Sequence, residues 1–210
     1  MWTSSALSAA ESAAAIKPIQ RGRIVILGDS LTAGYGLDPA DAYPALLQKK
    51  IDQAGLPYEV VNAGVSGDTT AGGLRRIDWA LRGGAEVLMI ALGGNDGLRG
   101  TPPSQTSANL SAMIQRARAK LPTLPVIIAG MQMPGSMGRA FAEAYAEVFP
   151  KVASENRASL VPYLLEGVGG VARLNQPDLI HPTAEGQKKI AETVWAALRE
   201  VLETKSGKRG

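Results

Sequence analysis

The chain has 210 residues, 45% of them hydrophobic and 20% charged, with a formal charge of +3. These values fit one globular domain able to bury its own core, and they exclude a fibre or a disordered chain. Zero cysteines exclude disulfides, cysteine-based zinc sites and thiol catalysis, and a single histidine excludes histidine-rich metal sites. No stretch approaches the roughly 18 consecutive apolar residues of a membrane span.

Residues 1 to 20 are rich in Ala and Ser and read as an N-terminal extension, since they lack the basic and Leu-rich regions of a secretory signal. From residue 21 to 204 short β-branched runs alternate with amphipathic segments. The first run, 23–27, is a strand that stops at Gly28-Asp29-Ser30-Leu31. A second strand, 58–61, leads into Asn62-Ala63-Gly64-Val65-Ser66-Gly67-Asp68, and a third, 86–92, into Gly93-Gly94-Asn95-Asp96-Gly97. Leu110, Met113, Ile114, Ala117 and Leu121 repeat at helical spacing ahead of a fourth strand at 125–129. Phe141, Tyr145, Val148, Phe149 and Val152 predict one further helix, followed by a weaker strand at 159–161. A final helix carries Ile190, Val194, Leu198, Val201 and Leu202, with Thr183 as its N-cap. Residues 205–210 read as a solvated basic tail rather than a nucleic-acid surface.

Strands with near-continuous apolar runs are covered on both faces, and strand-helix alternation predicts a parallel sheet with helices on both sides. In such folds ligands gather at the carboxyl ends of the strands. The three Gly-rich turns fall there. A serine nucleophile needs a base, and the base needs a carboxylate that fixes its tautomer. His181, in Asp178-Leu179-Ile180-His181-Pro182, is the only imidazole available, so the candidate set is Ser30, Asp178 and His181. For the oxyanion, the Ser30 amide, the Gly64 amide and the Asn95 side chain are candidate donors. Each residue alone has a plainer role: Ser30 as a helix cap, Gly64 and Gly67 as positive-φ turn residues, and His181 as a structural histidine.

Together these blocks resemble those of the SGNH (GDSL) hydrolases, and within that superfamily the bacterial thioesterase/lysophospholipase and arylesterase group. The residues that name the superfamily would be Ser30, Gly64, Asn95 and His181, and the match spans roughly residues 23 to 203. The resemblance implies a flavodoxin-like three-layer α/β/α sandwich with a five-stranded parallel sheet, a small-molecule ester substrate, an acyl-serine mechanism, no cofactor and no metal. It also implies a periplasmic or secreted protein, although residues 1 to 20 carry no clear signal. In the resembling enzymes the turn after the second block is a mobile loop, which maps here to residues 66–74 and their three glycines. Residues 131–139 contain three methionines that either line an acyl channel or fill core, so Met133 and Pro134, with Ile180 beside the base, are candidate substrate walls. Two other functions share these features. A carbohydrate O-acetyl esterase is set apart by turnover of acetylated sugars, and a non-catalytic flavodoxin-like binding module by failure to react with a fluorophosphonate.

Overall fold

Ile24, Val25, Ile26 and Leu27 have no exposed surface, because β1 (Gly22–Gly28) lies inside a sheet covered on both faces. The computed structural model describes residues 21–207. After β1 come α1 (Ser30–Ala33), α2 (Tyr43–Gln53), β2 (Tyr58–Gly64), α3 (Thr70–Ala80) and β3 (Val87–Ala91). The second half contains α4 (Gly94–Leu98), α5 (Pro103–Lys120), β4 (Val126–Ala129), α6 (Arg139–Ala146), α7 (Val148–Glu155), β5 (Ser159–Val161) and α8 (Ala184–Gly207). The five strands are parallel in the order β2-β1-β3-β4-β5. Helices α3, α5 and α7 pack together on one face, and α2 packs with α8 on the other. This is the expected α/β/α sandwich, with the flavodoxin-like order whose topological switch lies between β1 and β3.

Register decides where the loops meet. Gly28 pairs with both Gly64 and Ala91, so β1, β2 and β3 end at one level and their following turns emerge side by side. The turns that carry Ser30, Asp68 and Asn95 therefore start from a common edge.

Three local expectations are corrected. Residues 66–74 do not form one loop, because α3 starts at Thr70, with the Thr69 hydroxyl accepting from the Gly72 amide at 3.2 Å. Two of the glycines of that segment serve packing: a Cβ on Gly73 would lie 2.3 Å from Leu92 Cδ1, and one on Gly72 only 1.7 Å from Asp68 Oδ1. The single helix expected across 141–152 is two, divided at Glu147. Pro150 explains the break, since it has no N–H for the Ala146 carbonyl and its ring crowds that oxygen. Finally, α8 continues through Lys205, whose ammonium donates to the Glu86 carbonyl at 3.1 Å and pairs with its carboxylate at 2.5 Å, so Lys205 is not part of a solvated tail. The extension at 1–20 and the rest of the tail, 208–210, lie outside the described residues.

The N-cap of α8 is as expected: Thr183 Oγ1 accepts from the Gly186 amide at 3.3 Å. Ile190, Val194, Leu198 and Leu202 face the core with at most 1% exposure. Among the described residues no helix is long and apolar enough to cross a membrane.

Candidate active site

Strand β1 delivers its chain directly into α1. Asp29 caps that helix, its Oδ1 accepting from the Leu31 amide at 3.0 Å, and Ser30 is the first helical residue. The Ser30 amide therefore has no carbonyl four residues back to bond. The Ser30 side chain is nearly buried, and its Oγ lies 3.0 Å from His181 Nε2.

His181 comes from the far end of the chain, in the loop between β5 and α8, and a tight turn aims it. Asp178 Oδ1 accepts from the amides of Ile180 and His181, each at 2.9 Å, while Asp178 Oδ2 lies 2.7 Å from His181 Nδ1. Leu179 closes the turn at φ +59°, a left-handed conformation that costs a side-chain-bearing residue about 1 kcal/mol or more. The His181 side chain and the two backbone amides hold the Asp178 carboxyl at a pKa of about 2. An ionised Asp178 keeps the Nδ1 proton in place and leaves Nε2 to accept from the Ser30 hydroxyl.

Three residues absent from the sequence reading brace this arrangement. Gln187 on α8 is buried; its Nε2 donates to the Leu31 carbonyl at 3.1 Å and its Oε1 accepts from the Tyr43 amide at 2.9 Å. Gln176 donates its amide to the His181 carbonyl at 2.7 Å and its side chain to the Tyr35 carbonyl at 2.8 Å. The Tyr35 ring stands 4.5 Å from the imidazole, tilted by 39°. Gln187 left one trace in the sequence: it falls three residues before Ile190, a polar residue on the apolar stripe of α8.

The candidate oxyanion donors divide. Asn95 sits at the start of α4, its Nδ2 donating to the Asp68 carbonyl at 2.9 Å and lying 3.5 Å from Asp29 Oδ2. Gly64 does not suit the role expected of it. Its amide donates to Asn62 Oδ1 at 2.9 Å, and the space where a Cβ would stand faces the backbone of Ala33 at 2.4 Å. Close packing of β2 against α1 accounts for that glycine. Gly67, in the same turn, differs: it is exposed, it has φ +78°, and among the described residues its amide makes no hydrogen bond. It precedes Asp68, the residue that Asn95 holds.

A cleft of about 550 Å³ opens beside Ser30, Asn95 and His181. Met131, Met133, Pro134, Leu98, Leu165, Leu179 and Ile180 are among its apolar lining residues, so all three expected wall residues line it. Met131 is buried and half-buried Met133 fills the space that a Cβ on Gly97 would need, whereas Met137 lies outside the cleft. Asp29 lies at the cleft floor, and burial raises its carboxyl to a pKa of about 6 against the lowering effects of the Leu31 amide and of the His181 charge.

The family model for the GDSL-like lipase/acylhydrolase family matches residues 26–189. The chain is 44% identical over 180 residues to esterase TesA of Pseudomonas aeruginosa, covering 85% of this chain and 89% of that protein. It is 37% identical over 175 residues to thioesterase 1/protease 1/lysophospholipase L1 of Escherichia coli K12, covering 83% of this chain and 81% of that one. Among solved structures, that of TesA superimposes with a TM-score of 0.81 at 43% identity, over 85% of this chain and 98% of the other.

Proposed function

The chain belongs to the GDSL-like lipase/acylhydrolase family and is an ester-hydrolysing serine enzyme, and on that premise we propose that Ser30 is its nucleophile, His181 its general base and Asp178 the carboxylate that orients the base. The observation that carries this assignment is the pair of contacts at 3.0 Å and 2.7 Å linking Ser30 Oγ, the imidazole and Asp178 at the edge of the cleft.

His181 takes the Ser30 proton as Oγ bonds to the substrate carbonyl carbon, and the resulting imidazolium gives that proton to the departing alcohol or thiol. Water then attacks the acyl-serine by the same route, returning its proton through His181 and freeing the carboxylic acid. The oxyanion of each tetrahedral intermediate is held by the Ser30 amide, the Asn95 side chain and the Gly67 amide. Gly67 replaces Gly64 in this set because its N–H is unused, and because it adjoins the residue that orients Asn95.

The acyl group lies between Met133, Pro134 and Ile180. An apolar cleft of this volume suits short and medium acyl chains, as alkyl or aryl esters, thioesters or lysophospholipids. The same apolar walls argue against acetylated carbohydrates as the main substrate.

The test is covalent. A fluorophosphonate is expected to label Ser30 alone, and Ser30→Ala to lose both labelling and ester hydrolysis while keeping its circular dichroism spectrum. Labelling of another serine in the native chain overturns the assignment.

A further inference from the structure

Arg76 stands on α3, outside the cleft lining, yet its guanidinium reaches three segments at once. Nη2 donates to the carbonyl of Gly28 at 2.9 Å, Nη1 to that of Ala63 at 2.8 Å, and Nε to Asp68 Oδ2 at 2.7 Å. Gly28 ends the strand that delivers Ser30, Ala63 lies at the end of β2, and Asp68 offers its own carbonyl to Asn95 Nδ2. Little water reaches the pair, whose side chains are 18% and 11% exposed. The contact also requires Gly72, since any side chain there would collide with the Asp68 carboxylate.

We propose that Arg76 is a positioning residue for the oxyanion site: through Asp68 and two strand-end carbonyls it fixes the 65–69 turn, and with it the direction of the Asn95 amide. The inference builds on the proposed oxyanion donors and extends them to a residue that touches neither substrate nor nucleophile. Geometry supports the assignment over a simple surface ion pair. A planar guanidinium aims fixed donors at three acceptors, whereas a lysine ammonium on a flexible stem cannot reproduce that fork. The turn has other ties at both ends: the Val65 amide donates to Gly28 at 3.0 Å, the Asp68 amide to Val65 at 3.0 Å, the Gly67 carbonyl accepts from exposed Arg99 at 3.0 Å, and the Thr69 carbonyl accepts from the Gly73 amide of α3 at 2.8 Å, but only Arg76 joins the Asp68 carboxylate to both strand ends.

Because displacement of catalytic donors by about 1 Å can cost some 10²-fold in rate, loss of this fork is expected to appear in kcat. Arg76→Lys, assayed well below its own melting temperature, is expected to lower kcat for a nitrophenyl butyrate by about 10-fold or more while KM changes less than about threefold. Asp68→Asn, which keeps the backbone carbonyl but not the charge, is expected to show a smaller loss of the same kind, and it carries the test if Arg76→Lys does not fold. The decisive measurement is a double-mutant cycle: in an Asn95→Ala background each substitution is expected to cost at least about threefold less in kcat than in the native background. Equal losses in both backgrounds, or a lowered melting temperature with kcat intact, overturn the positioning role. Full kcat in Asn95→Ala alone overturns the oxyanion assignment itself, and the inference falls with it.

Discussion

Asp29 Oδ2 lies 3.5 Å from Asn95 Nδ2, so a buried carboxyl faces an amide proposed to bind negative charge. The sign of its titration follows from burial. With its pKa raised from 3.8 to about 6, Asp29 favours the folded state fully below about pH 4, and that contribution is lost as pH rises through 6. The loss is on the order of 3 kcal/mol by pH 7. Asp29→Asn does not titrate and retains an oxygen for the Leu31 amide. Its stability relative to the native protein is therefore expected to increase by up to about that amount between pH 4 and pH 7, read from urea melts across the range. A pH-independent difference would show that Asp29 ionises normally in the fold.

Asn95 is expected to act on the transition state. Asn95→Ala should lower kcat by about 10²-fold or more with little change in KM, because the charge it binds does not exist in the bound ester. Steady-state kinetics on a soluble aryl ester read this directly, and a change confined to KM would make Asn95 a substrate-binding residue.

A solitary imidazole permits a clean pH test. The midpoint of the His181 titration by NMR should coincide with that of the acidic limb of kcat/KM, since protonated imidazole cannot accept from Ser30. Asp29, its carboxyl raised to about 6, is a second titrating group at the site, so the comparison is made in Asp29→Asn as well. Asp178→Asn should reduce activity by releasing the tautomer. Midpoints that differ clearly in both proteins would remove His181 as the base.

Acyl length is the last expectation. Met133→Trp narrows the cleft, and it should lower kcat/KM for octanoyl esters about 10-fold or more relative to acetyl esters, the equivalent of two methylenes denied burial at about 0.8 kcal/mol each. An unchanged chain-length profile would place the acyl group elsewhere.

Strands β1, β3 and β4 were legible because each is a run of buried apolar residues between polar turns, and the Ser30, Asp178 and His181 constellation because one imidazole admits one base. Helix α3 was not, since Gly72 and Gly73 mimic a flexible turn; their real constraints, Asp68 and Leu92, come from distant parts of the chain. The same difficulty separates Gly64 from Gly67. Both are glycines in one turn, and only the hydrogen bond from Gly64 to Asn62 reveals which amide is already used. Pro150 could have divided α6 from α7, but the apolar spacing of Tyr145, Phe149 and Val152 continues across it. Arg76 offered no sign at all, because a cation on a helix reads as solvated until its three acceptors are assembled around it.

Gln187 has a meaning for how the molecule comes into being. It links α8 to Leu31 and Tyr43, 156 and 144 residues earlier, beside Ser30 and His181, which are themselves 151 residues apart. Contacts so remote along the chain bear the largest loop-closure cost. A nascent polypeptide that has completed only β1 through β5 holds Ser30 without His181, and on the proposed assignment it is expected to be inert. Recovery of turnover after dilution from denaturant is therefore expected to report the arrival of the His181 loop beside Ser30 rather than the formation of the sheet.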